Sequence, residues 1–219
     1  MTNVSGQAAR PATSRGMILH APRLYDWLVF IATRGRESAF RQKVIDLARL
    51  KPGESVLDVG CGTGTLAIAA ERHVGRDGGV SAIDASAEMI ATAGKKARKA
   101  GMEIDFRNES IEALPFPDGQ FDAVLSTMML HHLPRKAREA GLHEIRRVLK
   151  PGGRVLIVDF AGTGRQNRLL AHFHRRHGHV STAEVIALLK AAGLNLIENG
   201  AVGVRDLHFA LAVSPCCQS

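Results

Sequence analysis

The sequence lacks the features that mark secreted and membrane-spanning proteins. Its three cysteines, Cys61, Cys216 and Cys217, are too few and too unevenly placed for a disulfide framework. No apolar run approaches the ~20 residues that a helix needs to cross a bilayer. Residues 1–16 contain no apolar stretch of the secretory-signal type. We therefore expect a cytoplasmic protein in which residues 1–16 form a disordered tail.

The sequence also lacks internal repeats and any composition break that would separate two large domains. A length of 219 residues and a hydrophobic content of 45% suit one α/β domain with an ordinary core. We predict an N-terminal helical lid over residues 17–50, with a helix at Tyr25–Thr33 and another at Ala39–Leu50. The main domain is predicted over residues 51–213.

Glycine recurs at alternate positions in Val56-Leu57-Asp58-Val59-Gly60-Cys61-Gly62-Thr63-Gly64, and a helical pattern begins directly afterwards. Alternate glycines permit a tight turn and let a ligand approach the main chain, where the first N–H groups of the helix face it. A second apolar run ends at Asp84. Nucleotide-binding α/β units place an acid at this spacing to hold ribose hydroxyls. The sequence therefore predicts a ribose-containing ligand.

Three later segments accompany the glycine motif: Leu114-Pro115-Phe116-Pro117-Asp118-Gly119-Gln120-Phe121-Asp122, Leu130-His131-His132-Leu133-Pro134 and Arg147-Val148-Leu149-Lys150-Pro151-Gly152-Gly153. Together with Asp58, they resemble class I S-adenosylmethionine-dependent methyltransferases and follow the usual order of that superfamily. The resemblance covers roughly residues 20–213 and is nearest to the small-molecule branch that includes the ubiquinone and menaquinone C-methyltransferases. It implies that the main domain binds S-adenosylmethionine, releases S-adenosylhomocysteine and methylates a small, apolar or amphipathic acceptor.

Other functions fit parts of the same pattern. Gly62-Thr63-Gly64-Thr65-Leu66-Ala67 also matches the loose G-x-G-x-x-A dinucleotide pattern, so an NAD-dependent oxidoreductase is one alternative. The absence of a separable substrate domain counts against it. The remaining alternatives are a non-catalytic S-adenosylmethionine-binding regulator and a lipid or quinone methyltransferase that works at a membrane surface.

The net charge of +8 raises the question of anionic partners. Residues 1–50 hold eight Lys or Arg against three acids, interleaved with Tyr25, Trp27 and aliphatic side chains. We interpret this segment as a lid over the cofactor pocket, and contact with an anionic membrane surface is the alternative. Nucleic acid is disfavoured, because Ser126-Thr127-Met128-Met129 replaces the Pro-Pro-aromatic motif of methyltransferases that act on base amino groups. Nothing in the sequence specifies an oligomeric state.

Apolar runs and helical patterns alternate along the main domain. Strands are predicted at Ser55–Val59, Val80–Asp84, Ile104–Arg107, Phe121–Ser126, Arg154–Phe160, Leu194–Glu198 and Leu207–Val213. The alternation predicts a parallel sheet with helices on both faces. The last two strands, which have no crossover helix between them, should pair antiparallel. The resemblance implies a Rossmann-like seven-stranded sheet of order 3-2-1-4-5-7-6 with the last strand antiparallel.

The cofactor site is expected where strand order reverses, between the first and fourth strands. The candidate cofactor-binding residues are Asp58, Gly60, Cys61, Gly62, Thr63, Gly64, Asp84, Ala85, Met89, Ser110, Ile111 and Ser126. Asp84 could instead cap the helix that starts near Ser86. Met89 and Ile111 could equally be core side chains.

Ser110 departs from the pattern of the resembled family. Members often carry at this place an Asp that meets the adenine amino group. Glu109, or the backbone together with Ile111, could take over that contact.

The candidate catalytic residues are His131, His132 and Tyr25, with Asp159 expected near the same point. Methyl transfer depends chiefly on aligning the nucleophile, so a base is needed only for an acceptor that must lose a proton. We expect one histidine of the pair to face the acceptor and the other to hold the loop. The histidines at 172–179 have no acid or cysteine beside them, so no metal site is predicted.

Overall fold

The computed structural model describes residues 37–160, 180–204 and 206–216. In these ranges the helices are α1 Glu37–Leu47, α2 Thr65–Val74, α3 Ala87–Lys99, α4 Arg135–Val148 and α5 Thr182–Ala191, with a 3₁₀ turn at Leu130–His132. The strands are β1 Ser55–Val59, β2 Gly79–Ile83, β3 Asp105–Arg107, β4 Phe121–Thr127, β5 Leu149–Phe160, β6 Asn195–Ala201 and β7 Leu207–Val213. The predicted tail over residues 1–16, the predicted helix Tyr25–Thr33 and the histidines at 172–179 lie outside the described residues.

The strands form one sheet of order β3-β2-β1-β4-β5-β7-β6. Strands β1 to β5 are parallel, whereas β7 runs antiparallel to both β5 and β6. The predicted order and the antiparallel last strand are confirmed. Strands β1 and β4 pair directly, with Val56 opposite Ala123. The connections after these two strands therefore lie side by side, at the point where strand order reverses.

Different helices cover the two faces of the sheet. Val56 packs with side chains of α1 and α2, whereas its neighbour Leu57 packs on the opposite face with side chains of α4 and α5. This split follows from the two-residue alternation of a strand. Because both faces of β1 and β4 are buried, their sequences are nearly continuous apolar runs rather than alternating ones.

Helix α1 belongs to the core. Phe40, Val44 and Ile45 are buried against the face that also carries α2. The described part of the segment 17–50 thus packs on the sheet, and the lid stays a prediction for residues 17–36, which the structure does not describe. No helix among the described residues is long and apolar enough to cross a membrane.

Strand β5 is longer than predicted, beginning at Leu149 rather than Arg154. Leu149 pairs with Phe121 ahead of a register shift. The backbone of Gly152 and Gly153 then bonds that of Ser214, at 3.0 and 2.7 Å. Pro151 and two glycines suggest a turn in the sequence, but long-range pairing keeps this segment in the sheet.

Other element boundaries also differ from the predicted ones. Strand β6 continues to Ala201 through a bulge between Leu196 and Glu198. Helix α1 ends at Leu47 instead of Leu50, because Arg49 adopts a positive φ of 53° that ends the helical conformation. Strand β2 ends at Ile83, so Asp84 follows the strand and stands in the loop.

Candidate active site

Backbone conformation explains the glycines of the β1–α2 loop. Gly60, Gly62 and Gly64 have φ values of 76°, 53° and 77°, a region that side-chain-bearing residues rarely adopt. The N–H groups of Gly60 and Cys61 donate to the Ile83 carbonyl at 2.9 and 3.0 Å. The loop is therefore bent sharply and attached to the end of β2.

Two of these glycines are needed because the protein itself packs closely against them. A Cβ on Gly60 would overlap the side chain of Met129, and one on Gly64 would lie 2.7 Å from the Cβ of Ala93. The contact with Met129 confirms that the segment after β4 meets the glycine loop.

Asp84 ties the glycine loop to the start of α3. One carboxylate oxygen accepts the Gly62 N–H at 2.8 Å, and the other accepts the Ser86 N–H at 2.8 Å. Ser86 is the N-cap of α3 and accepts the Met89 N–H through its hydroxyl. Burial raises the pKa of the Asp84 carboxyl, and its two backbone hydrogen bonds partly offset that rise. A carboxylate has about four acceptor positions, so both oxygens can still accept a ligand hydroxyl.

Asp58 lies at the end of β1 beneath the glycine loop and is only 1% exposed. Neither of its carboxyl oxygens has a hydrogen-bond partner of good geometry among the described residues. Burial, reinforced by the nearby charge of Asp84, raises the Asp58 pKa to about 7, and Arg41 opposes the rise. Burial and the same two acids also raise the pKa of the Cys61 thiol. Cys61 is therefore neutral and is not a nucleophile.

Arg41 was missed by the sequence analysis. It extends from α1 and donates to the Thr65 hydroxyl at the start of α2. A lone basic residue in a predicted lid helix gives no signal, because only the packing of α1 on the sheet brings it to the site. Lys96 was missed for a similar reason, and its ammonium donates to the Thr63 hydroxyl at 2.8 Å.

Of the two candidates after β3, Ser110 makes a polar contact and Ile111 is buried. The Ser110 hydroxyl donates to the Glu112 carboxylate at 3.1 Å. Ile111 is 5% exposed and lies so close to Gly141 that a Cβ there would overlap it. Met89 is 3% exposed. Both apolar candidates are therefore core side chains, and an adenine contact for either stays a prediction.

Ser126 and Ala85 differ strongly in their surroundings. Ser126 lies next to the last residue of β4, is 1% exposed, and its hydroxyl has no hydrogen-bond partner among the described residues. Ala85 is exposed beside Asp84. After Ser126 the chain turns sharply, since Met128 adopts a positive φ of 51°, a strained conformation that is common near functional sites.

The 3₁₀ turn after β4 brings His131 to the end of β5. The Nδ1 atom of His131 lies 2.7 Å from one carboxylate oxygen of Asp159, and the His131 backbone N–H donates to the other at 3.1 Å. The ring centroids of His131 and His132 lie 3.9 Å apart, and the two ring planes are tilted by 45°. Asp159 was expected near the same point and does lie beside His131. Tyr25 lies outside the described residues.

Known methyltransferases are similar to this chain in sequence and in structure. A sequence model of the methyltransferase domain matches residues 56–153. A ubiquinone/menaquinone biosynthesis C-methyltransferase of Azotobacter vinelandii is 32% identical over 193 residues, covering 87% of this chain and 72% of that protein. The chain belongs to the class I S-adenosylmethionine-dependent methyltransferases.

Two further similarities support this assignment. A demethylmenaquinone methyltransferase of Thermus thermophilus is 38% identical over 141 residues, which are 64% of this chain and only 62% of that protein. The solved structure of an S-adenosylmethionine-dependent methyltransferase from Aquifex aeolicus is 25% identical and has a TM-score of 0.74. It covers 90% of this chain and 100% of that one.

The site residues fit the cofactor that class I methyltransferases use. S-adenosylmethionine carries ribose hydroxyls, an amino-acid zwitterion and a sulfonium cation. Asp84 has acceptor positions left for hydroxyls, and the unsatisfied Asp58 carboxyl lies close to Arg41 beneath the glycine loop. Opposite charges at one end of the site suit a zwitterion.

Proposed function

We propose that this protein transfers a methyl group from S-adenosylmethionine to a small, apolar or amphipathic acceptor. The observation that supports this most strongly is the hydrogen bond from the Gly62 N–H to Asp84. This bond holds the carboxylate that would bind the ribose hydroxyls against the glycine loop, at the point where the strand order of the sheet reverses. Ser126 near the end of the neighbouring strand β4, and His131 after that strand, lie on the side where an acceptor would approach.

The chain's own residues would mainly bind the cofactor and orient it toward the acceptor. Bound S-adenosylmethionine supplies a methyl group on sulfur that is already activated for displacement. Asp84 would hold the ribose, and Asp58 and Arg41 would hold the charged amino-acid end, leaving the opposite side open to the acceptor. Alignment of two reactants in a near-attack geometry can supply about 7–11 kcal/mol of the barrier reduction. Two buried or half-buried acids close to the cofactor also favour its net positive charge.

Apolar surroundings favour an apolar acceptor. Met128, Met129 and Phe160 are half-buried around the turn that carries His131. A small cleft beside Asp159 is lined by Phe160, Ile157, Val180, Val185 and four neighbours. The relatives named for menaquinone and ubiquinone biosynthesis suggest a quinone precursor. Such an acceptor would also suit a peripheral contact with a membrane surface.

A methyl-transfer assay tests the proposal. The protein is incubated with radiolabelled S-adenosylmethionine and a prenylated 1,4-naphthohydroquinone, and S-adenosylhomocysteine is measured. We expect product above the acceptor-free rate in the wild type and a loss of at least tenfold for Asp84→Ala at limiting cofactor. The matched control is Asp77→Ala, because Asp77 is exposed in the loop that precedes β2.

The same assay separates the alternative functions. A non-catalytic regulator would bind S-adenosylhomocysteine but give no product with any acceptor in a broad metabolite screen. A methyltransferase that works at a membrane surface would turn over faster when anionic vesicles carry the acceptor. Absence of both product formation and S-adenosylhomocysteine binding would contradict the proposal itself.

A further inference from the structure

Asp159 is held unusually firmly for a carboxylate at a strand end. It is 5% exposed and accepts three hydrogen bonds, from the Nδ1 atom and backbone N–H of His131 and from the backbone N–H of Phe160 at 2.8 Å. Two of these donors are backbone groups, so the carboxylate cannot rotate away without losing them. The strand therefore fixes the position and the direction of the charge.

This carboxylate decides which nitrogen of His131 carries the proton. A neutral imidazole donates from one ring nitrogen and accepts at the other. An ionised Asp159 only accepts, so Nδ1 carries the hydrogen and Nε2 keeps its lone pair. No described residue bonds Nε2, and the His131 side chain is 17% exposed. The ring thus presents a proton acceptor on the side away from Asp159.

Packing keeps the imidazole in this orientation. The Phe160 ring meets it edge-on with centroids 5.2 Å apart, and the His132 ring lies on its other side. Arg138 donates to the Leu130 carbonyl at 3.0 Å and pairs with Glu184 at 2.8 Å, which fixes the turn from below. Among the described residues, the titratable side chain of His208 also lies opposite Asp159, on β7.

We propose that Asp159 is a positioning residue that holds His131 as a general base. The acceptor of the proposed methyl transfer is then a phenol or hydroquinone, whose O–H proton must leave. That proton moves to Nε2, and the released electron pair makes the oxygen or the adjacent ring carbon nucleophilic. That oxygen or carbon bonds the methyl group as the methyl–sulfur bond breaks, and the electron pair of the broken bond stays on sulfur, which becomes the thioether of S-adenosylhomocysteine. Where carbon attacks, the ring C–H proton then leaves to solvent and the oxygen regains a proton from Nε2, which restores the hydroquinone. An acceptor without such a proton would not need His131 and Asp159 for its methylation.

Two acceptors of similar size test the substrate class, namely 1,4-naphthohydroquinone and N,N-dimethyl-1-naphthylamine. We expect S-adenosylhomocysteine only with the hydroquinone. His131→Ala should lower kcat at least 100-fold, within the range of general-base catalysis. The exposed His143 on α4 provides the control, and His143→Ala should leave kcat unchanged. Turnover of the amine that is insensitive to His131→Ala would overturn the proposal.

The positioning role needs a measurement that loss of folding would not imitate. Asp159→Asn should lower kcat more than tenfold with little change in KM. It should also move the acidic limb of the kcat profile to lower pH, because the imidazole loses its anionic neighbour. Asp159→Glu should restore part of the rate. An unchanged pH profile in Asp159→Asn would contradict the role.

Imidazole ¹⁵N NMR tests the pair without any acceptor. The wild type should show His131 protonated on Nδ1 at pH 8, and Asp159→Asn should shift the ring toward the other tautomer. An Nε2-protonated ring in the wild type would overturn the inference. If no acceptor gives product although S-adenosylhomocysteine binds, the proposed function fails, and the tautomer still decides the role of Asp159.

Discussion

The buried acid Asp58 should make the stability of the protein depend on pH. Its pKa is about 7 in the folded protein against 3.8 as the ordinary value. The folded state therefore keeps a proton that the unfolded chain loses, and the free energy of unfolding falls as pH rises from about 4 to about 7. Asp84, whose pKa is also raised by burial, contributes in the same direction.

Asp58→Asn tests whether the buried carboxylate lowers the free energy of unfolding at high pH, because asparagine resembles the protonated carboxyl in size and charge. At pH 8 the variant should be more stable than the wild type by roughly 1–3 kcal/mol, and near pH 4 the two should be similar. Urea denaturation at both pH values measures the difference. The exposed Asp77→Asn variant should follow the wild type at both. Equal pH dependence in Asp58→Asn and wild type would show that the buried carboxyl carries no such cost.

Single residues also show where sequence analysis reaches its limit. Asp84 and the glycines could be located because their spacing along the chain reflects one local strand–loop–helix unit. Arg41 could not, since it meets the loop only through the packing of α1. Asp159 was found as a candidate, but its partner was not, because His131 and Asp159 are 28 residues apart and come together only when β4 pairs with β5.

At the scale of elements, Arg138 links the turn that carries His131 to two helices. It is 4% exposed on α4, donates to the Leu130 carbonyl and pairs with Glu184 on α5. Replacing it would leave a largely desolvated carbonyl and a half-buried carboxylate without their partner. We expect Arg138→Met to lower the free energy of unfolding by about 2–3 kcal/mol and Tm by about 4–10 °C.

Arg135 on the same helix is the matched control. It also pairs with a glutamate, Glu139, but its side chain is 75% exposed. Exposed pairs contribute little, so Arg135→Met should leave Tm nearly unchanged in the same thermal scan. A similar fall for both variants would mean that loss of arginine from α4, rather than loss of the buried contacts, sets the effect.

Element boundaries could be predicted where apolar periodicity is strong. Strands β1 and β7 lie where the sequence places them. The start of β5 could not be predicted, because Pro151 and the two glycines after it carry turn signals that long-range pairing overrides. The bulge in β6 was missed for the same reason, as bulges interrupt the two-residue period.

At the scale of the whole molecule, the candidate cofactor-binding and catalytic residues share one edge of the sheet. The described ones lie at or just after the carboxyl ends of β1 to β5, and parallel strands end on the same side. The order of the strands followed from the resemblance to a known superfamily, whereas parallel alternation followed from the residues alone. A ligand that binds only the folded state should therefore stabilise the molecule as a whole.

The most direct test of the central claim is calorimetric titration with S-adenosylhomocysteine. We predict that the wild type and Asp77→Ala bind it equally and that Asp84→Ala binds at least tenfold more weakly, since each charge-assisted hydrogen bond contributes about 1.5–3 kcal/mol. NAD should bind none of the three proteins. Unchanged affinity in Asp84→Ala, or binding of NAD by the wild type, would contradict the account.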